Sequence, residues 1–334
     1  MRTGFALAIL MLSGLAATQV AAAPVAELKL VSEHPVDGMR GGNLSGLALC
    51  GKELWTVSDR DDDQIYRLDT RAAVWKAEKY GIVVPPVPES GLPWGLRSRT
   101  KAASFIRGGD LDFEGISCDA EGNRYIVSEA HAAVLRVPFS GEQGDTEWLK
   151  IAPGMVREAR ASGMLLHFNA LFEGLAISPD GNQIWLAAER ERRGLISIKR
   201  GQSVWDCEGA CVLLSEAGKD VQPAKFTNAK AVSKDFADLA LFNGKLFTLE
   251  RNAFQICRRD PATAKVELCW SFADETLAPE RRYAQPYGLA EALLIDAEGA
   301  WLGIDNNFGP RADGEKRPMV YRFAAPAGGW SARP

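Results

Sequence analysis

Residues 112–129 read DFEGISCDAEGNRYIVSE, and residues 171–189 read LFEGLAISPDGNQIWLAAE. The second stretch repeats the first roughly sixty residues later. Both begin Phe-Glu-Gly, pass through a Gly-containing turn, and end on a glutamate after a hydrophobic strand. Three weaker copies follow the same plan: LSGLALCGKELWTVSDR (44–60), FADLALFNGKLFTLER (236–251) and LAEALLIDAEGAWLGIDNN (289–307). Each is an apolar strand, a turn containing Gly, a second apolar strand, and then Asp or Glu.

Third strands follow at QIYRLDT, AVLRVPF, GLISIKR, FQICRRD and MVYRFAA, and fourth strands at VWKAEKY, TEWLKIA, CVLLSEA and VELCWSF. Short strands separated by turn residues, without a sustained helical period, predict an all-β protein. A unit of roughly 55 to 70 residues with four strands is the size of a propeller blade. The expectation is a β-propeller of five four-stranded blades, with six as the alternative count. The last blade lacks a strand, which AELKLVSEH near the start of the chain can supply, closing the ring. A β-sandwich would also satisfy the strand pattern, but it leaves the repeated acidic positions unexplained. VVPPVPESGLPWG (83–95) reads as a long loop after the first blade.

The chain has 334 residues, 46% hydrophobic, and a net charge of −4. That length can bury a large core, and the slight acidity without a Lys/Arg stripe argues against a nucleic-acid partner. The start, MRTGFALAILMLSGLAATQVAAAP, combines a basic residue, a short apolar run and a small-residue end. This is the pattern of a secretory signal peptide, read as residues 1–22 and followed by one propeller domain over 23–334. No cysteine follows the apolar run, so no membrane anchor is expected. The product would be an exported, soluble protein, periplasmic or secreted. Six cysteines in such a chain favour disulfides. The preferred pairs are Cys257 with Cys269 across a hairpin, Cys207 with Cys211, and Cys50 with Cys118. Zinc is disfavoured, because the three histidines lie away from any Cys pair.

In a propeller the first strand of every blade lines the central channel, so equivalent positions converge. Those positions hold Ser45, Glu114, Glu173, Ala237 with Asp238 beside it, and Glu291. Carboxylates gathered at one mouth resist ionising together. A divalent cation resolves that conflict, and hard oxygen ligands suit calcium. The candidate metal ligands are therefore Glu114, Glu173, Asp238 and Glu291. The competing reading is that these side chains bind backbone N–H groups of a neighbouring blade.

A second acidic set ends the second strands: Asp59, Glu129, Glu189, Glu250 and Asp305. Glu129, Glu189 and Asp305 are candidate catalytic bases. Arg60, Arg190 and Arg251 follow members of this set directly, and together with Asn306 they could grip an anionic group. Inter-blade Arg–Glu ion pairs are the alternative. Arg192 and Arg193 read as a solvated loop. His131 and His167 lie near the same strands and could act as bases, though a loop histidine is more often simply exposed. Ser98 and Lys101 match Ser-x-x-Lys without its companion motifs, and no Gly-x-Ser-x-Gly elbow occurs.

The segments FEGISCDAEGNRYIVSE, FEGLAISPDGNQIWLAAER, ADLALFNGKLFTLER and IDNNFG resemble the exported bacterial family called esterase-like activity of phytase, or phytase-like. The resemblance runs from about residue 40 to 323. It implies a β-propeller and hydrolysis of an ester or phosphoester. Glu114, Glu173 and Glu291 also occupy places similar to the metal-binding glutamate of calcium-dependent lactonase and gluconolactonase propellers. Ser45 and Ala237 depart from that pattern. The expected function is a metal-dependent hydrolase acting on a small anionic or ester substrate. The alternative is a non-catalytic propeller that binds an anionic ligand or a partner protein.

Overall fold

The computed structural model describes residues 25–39, 43–139, 145–226 and 229–332. The segment read as a signal peptide lies outside these residues. The repeats fold into five antiparallel blades. Blade one comprises Gly46–Cys50, Glu53–Val57, Gln64–Asp69 and Trp75–Gly81. Blade two comprises Phe113–Cys118, Arg124–Ser128, Ala133–Val137 and Glu147–Trp148. In blade three, Phe172–Ile177, Gln183–Ala188 and Arg193–Arg200 are followed by Trp205–Asp206 and Val212–Glu216, both paired with the third strand. Blade four comprises Asp238–Phe242, Lys245–Glu250, Gln255–Arg259 and Val266–Ser271. Blade five has Ala290–Asp296, Gly299–Ile304 and Met319–Ala324 from its own repeat.

The fourth strand of blade five is Leu30–Asp37, which pairs antiparallel with Met319–Ala324, His34 opposite Val320. Its last residues also run parallel to blade one, Val36 opposite Trp75, so this strand joins the last blade to the first. Just upstream, Ala26–Glu27 adds a parallel edge to blade four, Ala26 opposite Trp270. One stretch of chain thus covers edges that would otherwise present unpaired N–H and C=O groups.

Five hydrophobic clusters fill the five gaps between neighbouring blades. Val57 and Ile65 of blade one meet Ile126 and Leu135 of blade two, and Val127 and Val134 meet Leu175 and Leu186. Trp185 and Leu195 meet Leu239 and Leu246, Phe247 and Ile256 meet Leu302 and Phe323, and Ala292 and Val320 meet Leu47 and Leu68. Consecutive residues point to opposite sheet faces. Ile126 therefore packs toward blade one and Val127 toward blade three, which is why the middle strands read as unbroken apolar runs.

All three preferred disulfides form: Cys50–Cys118, Cys207–Cys211 and Cys257–Cys269. The first ties the inner strands of blades one and two together. Three helices among the described residues depart from the sequence expectation, the shortest being Ala273–Thr276 after blade four. Trp94–Arg107 stands within the connection between blades one and two, and Pro153–Ala161 precedes blade three. The first was hidden because it buries a mostly polar face, Leu96, Thr100 and Ser104, while Trp94 and Phe105 stay exposed.

Candidate functional site

The five inner strands stand side by side around the axis in chain order. They approach so closely that side chains are excluded at one level. A Cβ on Gly174 would lie 2.6 Å from the Asp238 Cα, and one on Gly46 would lie 2.8 Å from the Ile116 backbone nitrogen. Immediately before this level the ladder is interrupted in three blades. The register shifts between Phe113 and Gly115, between Phe172 and Gly174, and between Ala290 and Ala292. Glu114, Glu173 and Glu291 are the skipped residues of these bulges. A bulge re-aims the side chain it displaces, and here it turns three glutamates to the mouth of the channel.

That mouth is a cavity of about 550 Å³. Its lining includes Glu114, Glu173 and Glu291 from the first strands, Asp59, Glu129, Glu189 and Asp305 from the ends of the second strands, and the three arginines Arg60, Arg190 and Arg251. Seven carboxylates thus face three guanidinium groups. Two tight groupings stand out, each with carboxylate oxygens within 4.8 Å of one another: Glu129 with Glu173 and Glu189, and Asp59 with Asp112 and Glu114.

The hydrogen bonds divide these groups by role. Arg251 is buried and its guanidinium is fully engaged: Nε donates to Asp235 at 2.8 Å, and the two terminal nitrogens donate to Glu189 and Glu291. It is an inter-blade ion pair, as the alternative sequence reading had it. Arg190 also donates to Glu189, and its side chain keeps 31% exposure. Arg60 lies over the Phe308 ring at 4.6 Å. Glu129 accepts the Leu171 backbone N–H at 3.0 Å, joining blade two to blade three.

Glu173, 6% exposed, has no hydrogen bond or ion pair to its carboxylate among the described residues. Glu189 is wholly buried; its Oε1 takes both arginines, whereas its Oε2 has no partner among the described residues. The Oε2 of Glu291 also has none.

Burial and mutual repulsion push these acids upward. Glu173 is raised well above the ordinary carboxylate range, first by burial and then by Glu189. Glu114 is raised likewise, by burial and then by Glu173 and Asp112. Burial lifts Asp305 to about 7, against the opposing backbone hydrogen bond from Asn307. The acids that face the cavity are therefore poised for a positive charge that the three guanidiniums do not fully supply.

Two expected site residues, Asp238 and Asn306, stand elsewhere, as does Glu250. Asp238 occupies the place that glycine fills in blades one to three, one residue after Ala237, which stands where blades two, three and five carry the bulged glutamate. Its oxygens accept the backbone N–H groups of Leu239 at 2.8 Å and Leu293 at 2.7 Å, so it pins blade four to blade five. Asn306 is buried, donating to the Lys316 carbonyl and accepting the Phe308 N–H; its neighbour Asn307 lines the cavity instead. Glu250, of the second acidic set, is held by Arg193 and Arg259 at 2.9 and 2.7 Å.

Arg193 itself is not on a solvated loop. It opens the third strand of blade three, is 3% exposed, and stacks on Phe236 at 4.2 Å. His131 and His167 are not among the cavity's lining residues. Ser98 donates to the Gly95 carbonyl and Lys101 pairs with Asp110, so the Ser-x-x-Lys pattern forms no dyad.

Asp112, Asn169, Asn252 and Tyr287 also belong to this region and were not singled out from sequence. A signal existed for Asp112. Asn43, Asp112 and Asp235 recur three residues before the inner-strand glycine or its equivalent, and all three are buried.

Residues 40–203 match the model of the phytase-like family, described as esterase-like activity of phytase. No curated protein sequence matches the chain. Among solved structures, glutaminyl cyclase of Myxococcus xanthus superimposes with a TM-score of 0.50 at 12% identity, covering 90% of this chain and 97% of that one. Aldose sugar dehydrogenase of Streptomyces coelicolor gives 0.42 at 14% identity, covering 90% and 98%. Virginiamycin B lyase of Staphylococcus aureus gives 0.41 at 11%, covering 90% and 100%. At 12% identity the likeness to the cyclase concerns the fold alone. The family match spans blades one and two and the first three strands of blade three of this all-β chain, which is thus similar to the phytase-like family over that stretch.

Proposed function

We propose that the channel mouth is a calcium-dependent hydrolase site acting on an ester or phosphoester, in a protein exported from the cell. The observation that carries this reading is the Glu129–Glu173–Glu189 grouping, in which Glu173 and the Glu189 Oε2 have no partner among the described residues despite burial. Hard oxygen donors without nitrogen or sulfur suit calcium, which accepts irregular geometry and leaves room for water or substrate. When bound, such an ion would polarise a carbonyl or phosphoryl oxygen and lower the pKa of a coordinated water.

The protein's own groups divide the remaining work. Glu173 and Glu189 would hold the ion, with Glu129 fixed beside them by the Leu171 N–H. Arg190 and Arg60 line the cavity where an anionic substrate group would enter, and guanidinium suits carboxylate or phosphate oxygens. Asp305, with its carboxyl near 7, serves as the proton carrier, since a group titrating near neutral pH can both take and give a proton. Arg251 is reserved for structure.

Binding of an anion without turnover is less favoured, because carboxylates outnumber the arginines around the cavity. Export is supported by the signal-like start and by three disulfides. No helix among the described residues is long and apolar enough to cross a membrane.

The test is hydrolysis of p-nitrophenyl esters and phosphates by the purified mature chain, with and without chelator. The reading expects chelator-sensitive turnover that calcium restores and that Glu173→Gln abolishes. Turnover indifferent to both treatments would overturn it.

A further inference from the structure

Asn307 and Phe308 have φ values of 45° and 60°, two consecutive non-glycine residues in the left-handed region. Asparagine tolerates that region; a bulky aromatic rarely enters it. Burial does not compensate Phe308, which is 61% exposed.

The conformation is imposed by its surroundings. Asp305 Oδ1 accepts the Asn307 N–H at 2.8 Å, Asn306 Oδ1 accepts the Phe308 N–H at 3.3 Å, and the Gly309 N–H donates to the Asn306 carbonyl at 2.7 Å. A side-chain anchor from Asn306 to the Lys316 carbonyl completes the brace. Backbone strain held in this way clusters at ligand-binding positions. What it achieves here is to hold an aromatic ring outward at the cavity rim, under the Arg60 guanidinium and next to Asn307, both lining residues. Tyr287 lines the same cavity and is 43% exposed.

Charge points the same way. Seven carboxylates face three arginines, one of them fully spent on ion pairs. Glu173 and Glu189, ionised to hold a divalent cation, would cancel its charge and leave no surplus of positive charge for a polyphosphate.

We infer that Phe308 and Tyr287 form an aromatic subsite, and that the substrate is an ester carrying a flat aromatic group and at most one phosphoryl or carboxyl group. This rests on the hydrolase reading for its chemistry, but the subsite can be tested apart from turnover.

The probes are phenylphosphonate and methylphosphonate, neither of which is hydrolysed, titrated calorimetrically into the calcium-loaded mature protein. Phenylphosphonate should bind about tenfold more tightly, a preference lost in Phe308→Ala and kept in Phe308→Tyr. Equal affinities in the unmodified protein, or a preference that survives Phe308→Ala, would overturn the subsite. In a parallel assay, a higher kcat/KM for inositol hexakisphosphate than for phenyl phosphate and phenyl acetate would overturn the substrate class. Absence of all turnover together with an intact, Phe308-dependent phenyl preference would sink the hydrolase reading and leave the subsite standing.

Discussion

Replacing Asp305 with Asn should change how the metal-free protein responds to pH. Asp305 is 8% exposed, and burial lifts its carboxyl from 3.8 to about 7. The folded state therefore holds this proton over a range in which the unfolded chain has already released it. Stability from this group is fully present below about pH 3.8 and is lost as the pH rises toward 7. The interval is about three pH units at about 1.4 kcal/mol each, or about 4 kcal/mol in all.

Glu114, Glu173 and Glu291 are raised in the same direction, so the unmodified apo-protein should lose more than this. Subtracting the variant from the wild type isolates Asp305, because Asn mimics the neutral acid and can still accept the Asn307 N–H. Urea unfolding in chelator between pH 4 and 8 measures the difference. It should shift by about 4 kcal/mol in favour of Asp305→Asn as the pH rises. A difference that stays flat, or moves the other way, would mean that Asp305 is already ionised in the metal-free fold, and its role as proton carrier would fall with it.

Two further outcomes follow from the packing around the axis. Arg251→Met leaves Asp235, Glu189 and Glu291 without their shared guanidinium, and should cost about 3–5 kcal/mol in denaturant unfolding at neutral pH. Gly174→Ala drives a methyl group to 2.6 Å from the Asp238 Cα, a backbone atom that cannot step aside. It should destabilise by about 1–3 kcal/mol or more, seen as a lower Tm, with calcium affinity reduced as Glu173 is displaced.

Much of the fold could be read in the chain because a propeller repeats one instruction. Each copy carries a glycine turn, middle strands apolar on both faces, and an acid at the end of the second strand. The borrowed strand was legible in AELKLVSEH (26–34) because the last repeat was visibly one strand short, although it starts at Leu30 and runs to Asp37, with Ala26–Glu27 pairing blade four instead. The helix Trp94–Arg107 was not, since the face it buries carries Thr100 and Ser104 as well as Leu96.

At the site, Glu114, Glu173 and Glu291 were found by alignment alone, but alignment could not reveal that they owe their direction to bulges. In blade four Ala237 takes the glutamate's place, and the neighbouring acid Asp238 stands at the glycine level and binds backbone instead. Arg193 misled for a related reason. A run of charges reads as solvated, yet the strand begins inside that run and carries Arg193 in toward Phe236 and Glu250.

The claim on which the rest depends is that the partnerless oxygens of Glu173 and Glu189 are ligands in waiting. Calorimetric titration of calcium into the chelator-stripped mature protein tests it most directly, with Glu173→Gln as the companion sample. The account predicts saturable binding with protons released to the buffer, because raised carboxyls must ionise to coordinate, and loss of that binding in the variant. Absence of a calcium heat in the folded, metal-free protein, or equal affinity in Glu173→Gln, would contradict it.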